Sequence, residues 1–210
     1  MVQVILANAS NLEATKVWDK FESKIKIATK NYQGVAHQKN GEIYFDINEA
    51  AAGDVINNPY QLLFHEGAHN IDFLNARNGE YFSEYYENNA LIKAIKKDLQ
   101  KLIEDKMAQL QIEENQAYEN LRSELRKNFT LKDRANFSDI LSAYSDNDYN
   151  LGVGHPKGYW QKSGDALKSR EVFADFMDAA ITNKVAYEML KQYLPTASKV
   201  FEEMLKELLK

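Results

Sequence analysis

The sequence predicts an α+β fold, predominantly helical, in which a small N-terminal sheet lies beside a helix carrying a His-Glu-x-x-His motif and a long helical insertion follows. Three observations predict it. A pair of short strand-like runs flanks Lys39-Asn40-Gly41, the Asn-Gly signal of a tight hairpin. Apolar residues then recur at helical spacing through most of the chain beyond Pro59. From about Tyr81 to Lys127 there is neither glycine nor proline to interrupt that spacing. With 210 residues, a single domain spanning 1–210 is long enough to bury a sizeable core.

Taken in order, Gln3 to Ala7 is a short apolar run that reads as a strand, ended by Asn8 and Ser10. A packing helix is predicted over Leu12 to Thr29, where Val17, Trp18, Phe21 and Ile25 share a face. Gly34 to Gln38 and Glu42 to Ile47 form the predicted hairpin, directly before the helix that carries His65 and His69. Pro59 suits the first turn of that helix, and Leu62, Leu63, Phe64, Ala68 and Ile71 give it a buried side. Leu91, Ile95, Leu99, Leu102, Leu110, Ala117, Leu121 and Leu125 predict a helical hairpin over 81–127 bent near Gln109 to Asn115, since one straight helix of that length would project from a compact domain. A helix follows at Leu131 to Ala143. Ser145 to Gly158 is rich in turn residues and reads as a loop of the kind that carries function. Two helices close the chain, Asp165 to Asn183 and Lys184 to Leu209, the second broken at Pro195.

Composition removes several classes. Apolar residues make up 44% and charged residues 27%, as in an ordinary soluble globular protein, and the net charge of -5 argues against nucleic acid as a partner. The absence of cysteine excludes disulfides and thiolate metal sites, so a bound zinc has only His, Asp and Glu to hold it. No apolar stretch is long enough to span a bilayer, and the N-terminus lacks the basic and apolar segments of a secretory signal. The expectation is an intracellular chain with no membrane partner.

His65-Glu66-Gly67-Ala68-His69 is the motif that points to chemistry. On a helix, imidazoles four residues apart project from one face, which suits a catalytic zinc with Glu66 reaching a water beside it. Such a zinc takes a third protein ligand. A third histidine ten residues after the first is excluded, because that position is Asn75. Asp72, on the same helix, is poorly placed to wrap round the ion and is assigned a supporting or surface role. His155, in the turn-rich loop, is a candidate for metal or substrate contact, and equally for an exposed loop residue. The best candidate is Glu171, with Asp175 one turn further on the same face to accept a hydrogen bond from a ligating imidazole. Without the histidine motif, both would read as solvated acids of an amphipathic helix. His37 is expected to be structural or exposed.

The stretches His65 to Asp72 and Glu171 to Asp175 together resemble the zinc peptidases with a glutamate third ligand, the gluzincins, especially the branch similar to the anthrax lethal factor catalytic domain. Phe137 to Ser142, Gly152 to Trp160, the Glu171 helix and Tyr193-Leu194-Pro195 resemble a metallopeptidase-like domain of phage and prophage minor head proteins. The resemblance runs from about Ile43 to the C-terminus. It implies a gluzincin-like fold in which the strand Glu42 to Ile47 is the sheet edge lining the cleft, where an extended peptide adds as a further strand. It also implies a transition-state tyrosine shortly before the third ligand. Here the nearer positions are Gln161 to Asp165, and Tyr159 is the closest tyrosine.

The expected activity is zinc-dependent peptide hydrolysis, with His65, His69 and Glu171 as ligands, Glu66 as general base, and Tyr159 or His155 as donor to the oxyanion. Tyr159 and Trp160 also have a plain reading as aromatic packing under the loop. The expected partner is a protein or peptide substrate, with phage structural proteins docking through the 81–127 insertion. The location implied is the bacterial cytoplasm or a virion. The rival expectation is a non-catalytic structural or interaction protein of a phage head that retains a metal site.

Overall fold

A computed structural model of the chain describes residues 2–28, 36–145, 148–161 and 164–210. It is a mostly helical α+β protein with one three-stranded sheet among the described residues. Helices α1 (Val2–Ala7) and α2 (Leu12–Phe21) come first, followed by a 3₁₀ turn over Glu22–Lys24. The sheet comprises β1 (Lys26–Ile27), β2 (His37–Lys39) and β3 (Glu42–Tyr44). Then follow α3 (Ile47–Ala52), α4 (Gln61–Leu74), α5 (Phe82–Tyr85), α6 (Ala90–Leu110), α7 (Glu114–Asn128) and α8 (Leu131–Tyr144). Helices α9 (Lys157–Gln161), α10 (Gly164–Thr182), α11 (Lys184–Tyr193) and α12 (Pro195–Leu209) complete the chain.

Three N-terminal expectations are corrected. Gln3 to Ala7 is helical rather than a strand: among the described residues no strand lies beside it, and Asn8 Nδ2 closes the last turn on the Val4 carbonyl at 2.7 Å. An apolar run this short has no periodicity that separates the two states. The helix begun at Leu12 ends at Phe21, because Lys26 and Ile27 are drawn into the sheet, parallel to Glu42 and Ile43; Thr29 lies outside the described residues. The second hairpin strand stops at Tyr44, since Asp46 turns the chain into α3 by accepting from the Asn48 and Glu49 N–H groups. A short helix therefore separates the hairpin from α4. The hairpin itself is present, with Asn40 and Gly41 both at positive φ (53° and 80°) as a two-residue I′ turn requires. Gly34 and Val35 lie outside the described residues.

The remaining helices follow the apolar spacing. Pro59 precedes α4 by two residues instead of entering it, and Gln61 Oε1 caps the turn by accepting from Asn58 N–H at 2.8 Å. Helices α6 and α7 form a hairpin that turns at residues 111–113 and buries Leu99, Ile103, Ala117, Leu121 and Leu125, but it starts at Ala90 and not near Tyr81, because Glu87, Asn88 and Asn89 at positive φ separate α5 from α6, and Leu110 is exposed. Pro195 starts α12, whose first free N–H groups at Thr196 and Ala197 are accepted by buried Asp98 of α6 at 2.7 and 2.9 Å. The buried apolar residues form one continuous cluster, with Phe64 and Ile71 of α4 and Phe173 and Phe176 of α10 among its largest members. No helix among the described residues is long and apolar enough to cross a membrane.

Helix α4 owes its position to a glycine. Gly67 lies mid-helix, where glycine costs about 1 kcal/mol against alanine, but a Cβ there would overlap the Trp18 indole. Trp18 of α2 fills this spot and packs against Phe64, with ring centroids 4.5 Å apart. The motif residue directly after Glu66 is thus a packing requirement. On the other side, Asn70 Nδ2 donates to the Gly41 carbonyl at 2.7 Å and ties α4 to the hairpin turn.

Candidate metal centre

Helices α4 and α10 run antiparallel, and polar pairs recur along their contact. Gln61 Nε2 donates to Asp178 Oδ2 at 2.8 Å; one turn on, His65 Nδ1 lies 3.8 Å from Asp175 Oδ1; at the next turn His65 and His69 both face Glu171. The i, i+4 spacing of the histidines matches the i, i+4 spacing of Glu171 and Asp175, so each carboxylate meets an imidazole.

His65 Nε2 and His69 Nε2 lie 3.4 and 3.3 Å from the same atom, Glu171 Oε2. These separations exceed the ~2.7–2.9 Å of a charge-assisted hydrogen bond. They equal the roughly 3.3 Å expected between donors on tetrahedral corners about 2.0–2.1 Å from one ion. Glu171 is 4% exposed, and Oε2 is buried with no hydrogen-bond partner, which a native interior rarely tolerates. His65, His69 and Glu171 therefore form a candidate metal-binding group, and two imidazoles with one carboxylate fit a borderline divalent cation.

The second donor set able to hold an ion is Asp139, His155 and Glu171. Its Asp139–His155 contact is itself a hydrogen bond, with Nδ1 to Oδ2 at 2.8 Å and the His155 backbone N–H to Oδ1 at 2.7 Å. We read that pair as a carboxylate orienting an imidazole.

The loop that carries His155 is pinned by hydrogen bonds from α8. Ser138 Oγ donates to the Val153 carbonyl at 2.6 Å and accepts from Leu151 N–H at 2.8 Å, while Arg134 Nε reaches the Leu151 carbonyl. Gly154, at φ 111°, lets the loop approach Asp139: a Cβ there would lie 2.6 Å from Asp139 Oδ1. The His155 ring stacks on Tyr159 with centroids 3.9 Å apart, and the Tyr159 hydroxyl donates to Glu171 Oε1. Tyr159 and Trp160 belong to α9, a short helix that begins inside the stretch read as loop.

Electrostatics follow from burial and these pairings. Burial alone would raise Glu171, but the charge of His69 and the closeness of both imidazoles outweigh it and hold the carboxyl well below its usual range. Burial, reinforced by the Asp139 and Glu171 charges, pushes Asp175 well up despite His65. Burial would lower His155, yet the Asp139 hydrogen bond and charge raise it. Burial and the Glu171 carboxylate raise the Tyr159 phenol and keep it protonated.

Glu66 lines both depressions that meet at this centre. One, about 410 Å³, is walled by His37 and Gln38 of β2 and by Tyr81 and Arg170; the other, about 440 Å³, by Glu49, Asn136 and Asp139. The strand bordering the cleft is therefore β2 and not the expected Glu42 to Ile47 run, because β3 is the central strand of the order β1-β3-β2. His37 is at that edge, stacked on Tyr44 with centroids 5.0 Å apart.

Asp72 is fully buried and accepts from both the Ser83 N–H and hydroxyl at 2.7 Å, which docks α5 under the His69 end of α4. Sequence reasoning missed Gln61, Asn136, Asp139 and Asp178. Asn136 Nδ2 bridges Asp175 Oδ1 and Asp178 Oδ2 at 3.2 and 2.9 Å. A signal for two of them existed: Asn136 and Asp139 occupy the first two places of an i, i+3, i+4, i+7 stripe completed by apolar Ile140 and Ala143. Comparison of the chain with protein-family models, curated proteins and solved structures finds no match.

Proposed function

We propose that the protein is a zinc-dependent metallopeptidase of gluzincin-like arrangement, with His65, His69 and Glu171 as ligands and Glu66 as general base. The observation that carries this reading is the convergence of two imidazoles on the unpartnered Oε2 of Glu171 in the floor of an open cleft that Glu66 also lines. A zinc ion held there would supply a Lewis acid that polarises a peptide carbonyl and makes water a nucleophile near neutral pH.

The chain's own residues account for the proton movements. Glu66 takes the proton of the attacking water and returns it to the leaving amine. Asp139 holds His155 Nδ1–H and favours the imidazolium, whose Nε2–H is then a donor for the developing oxyanion; the Tyr159 phenol stays protonated and is a second donor once its O–H turns from Glu171 Oε1. Asp175, 3.8 Å from His65 Nδ1, is placed to orient that ligand's ring. The resemblance to phage and prophage minor head proteins supports a phage-associated protein as the substrate, with the α6–α7 hairpin as its docking element.

The test is metal content together with hydrolysis. Purified without chelators, the chain should carry near-stoichiometric zinc, and Glu66→Gln should cut peptide hydrolysis by about 10²–10⁴-fold while retaining it. Zinc near zero, with none regained on adding metal, would remove the site; unchanged hydrolysis in Glu66→Gln would remove the general base.

A further inference from the structure

Arg170 precedes Glu171 on α10 and lines the same depression as Tyr81 and His69. Among the described residues lining the two depressions, it is the only Lys or Arg. Its guanidinium lies on the Tyr81 ring, with Cζ 3.8 Å from the centroid, and its Nε donates to Glu84 Oε1. Glu84 is buried, and its second oxygen accepts the Tyr81 N–H at 3.3 Å. A stack on one face and a tether at Nε fix the plane of the group. Both terminal amino groups then have no partner among the described residues, and the side chain is 30% exposed.

A residue serving only to staple α10 to α5 would engage Glu84 with the two-pronged end of its fork. Here the tether uses the inner nitrogen and leaves that end open. A guanidinium held over an aromatic ring with its paired amino groups free is preorganised for the two oxygens of a carboxylate. The opposite depression is lined by Glu49, Asp139, Asp175 and Asp178 together with His65 and His155, and by no Lys or Arg. A substrate carboxylate in this cleft therefore has Arg170 as the one Lys or Arg that lines it among the described residues.

Resting on the reading of this cleft as a peptide site, we infer that Arg170 is a specificity-determining residue that receives a carboxylate of the bound polypeptide. The two sources of that group are an acidic side chain and the chain's terminal carboxylate.

Binding of fluorescent peptides to the zinc-loaded Glu66→Gln protein, followed by anisotropy, tests it without turnover. Acetylated and amidated peptides carry Glu or Gln at each position in turn, and a further set ends in a free carboxylate. At one position, or at the free terminus, the carboxylate form should bind about tenfold to a hundredfold more tightly, as a charge-assisted pair implies. Arg170→Gln should collapse that difference, and Arg170→Lys should restore part of it. Peptide binding with no carboxylate preference overturns the assignment and leaves the peptide site standing, as does a preference that survives Arg170→Gln. Failure of every peptide to bind overturns both. The Glu and Gln peptides are compared on unaltered Arg170, so the result stands even if its variants fold poorly.

Discussion

Asp98 and Asp175 are both buried aspartates on long helices, and they differ in what they leave unused. Asp98, in the α6–α7 hairpin region, spends one oxygen on two backbone N–H groups at the start of α12. Asp175, in the α4–α10 contact, leaves Oδ2 buried without a partner, as Glu171 beside it leaves Oε2. The hairpin is otherwise closed by aliphatic side chains, with its charges at the surface. The α4–α10 contact instead gathers Glu66, Glu171, Asp175 and Asp178 under cover. A buried unpaired polar atom costs on the order of 1–3 kcal/mol, so the second region is less stable than its packing alone would make it. The difference separates a region built for stability from one whose hydrogen-bonding capacity is held for something else.

The strongest test of that division is Leu121→Ala. Leu121 is fully buried in α7, facing α6, and truncation should cost about 2–5 kcal/mol through lost transfer energy and a residual cavity. The chemical-denaturation midpoint should fall while zinc content in the folded baseline stays unchanged. Zinc lost from still-folded Leu121→Ala would show that the hairpin and the centre are one unit, and the comparison would fail.

The same division governs what could be read from sequence. The hairpin was legible from Leu91 to Leu125 because one apolar periodicity runs through both helices, although Leu110 proves exposed and the break before Ala90 left no glycine or proline to mark it. His65, Glu66 and His69 were legible because their spacing is itself a geometry, and Glu171 because it stands one turn before Asp175 on an apolar-faced helix. Asp139 was not, since its role depends on Gly154 bringing a distant loop within 2.7 Å, a long-range contact that no local pattern encodes. The edge of the sheet was misplaced for the same reason. Strand order depends on Lys26 and Ile27 leaving the helical pattern to pair with β3, which only tertiary packing decides.

Asp72 allows the cost of the polar region to be measured. Burial raises its carboxyl to about 7, above the ordinary value of 3.8, against the lowering effect of the Ser83 hydrogen bonds. A folded-state value above the unfolded one means that the native protein binds the proton more tightly. The contribution to stability is then full below about pH 4 and lost as pH rises through about 7. Asp72→Asn keeps an acceptor for the Ser83 N–H and offers the Ser83 hydroxyl a donor, so it removes the charge and little else. In chelated protein it should be more stable than the parent at pH 8, by no more than about 4 kcal/mol, with the gain vanishing toward pH 4. Thermal or urea unfolding at both pH values checks this. A loss of stability at pH 8 would mean that the ionised carboxylate is needed beside His69, moving Asp72 from support of α5 to support of that candidate ligand.

The smallest effect is expected where the two regions touch through charge. Lys96 of α6 reaches Asp165, near the start of α10, at 2.8 Å, with the two side chains 50% and 54% exposed. At that exposure, solvent screening and the entropy of two long side chains leave a pair worth between zero and about 1 kcal/mol. Lys96→Ala should therefore shift the unfolding midpoint slightly, and the shift should shrink further between 0.05 and 0.5 M salt, on the order expected from Debye screening. Zinc affinity, measured by competition with a chromophoric chelator, should not change, because Asp165 is more than one helical turn from Glu171 and the core between α6 and α10 is apolar. A several-fold change in zinc affinity would reveal coupling that the packing does not predict: the hairpin would then bias the position of α10, and a partner docked on it would have a route to the metal centre.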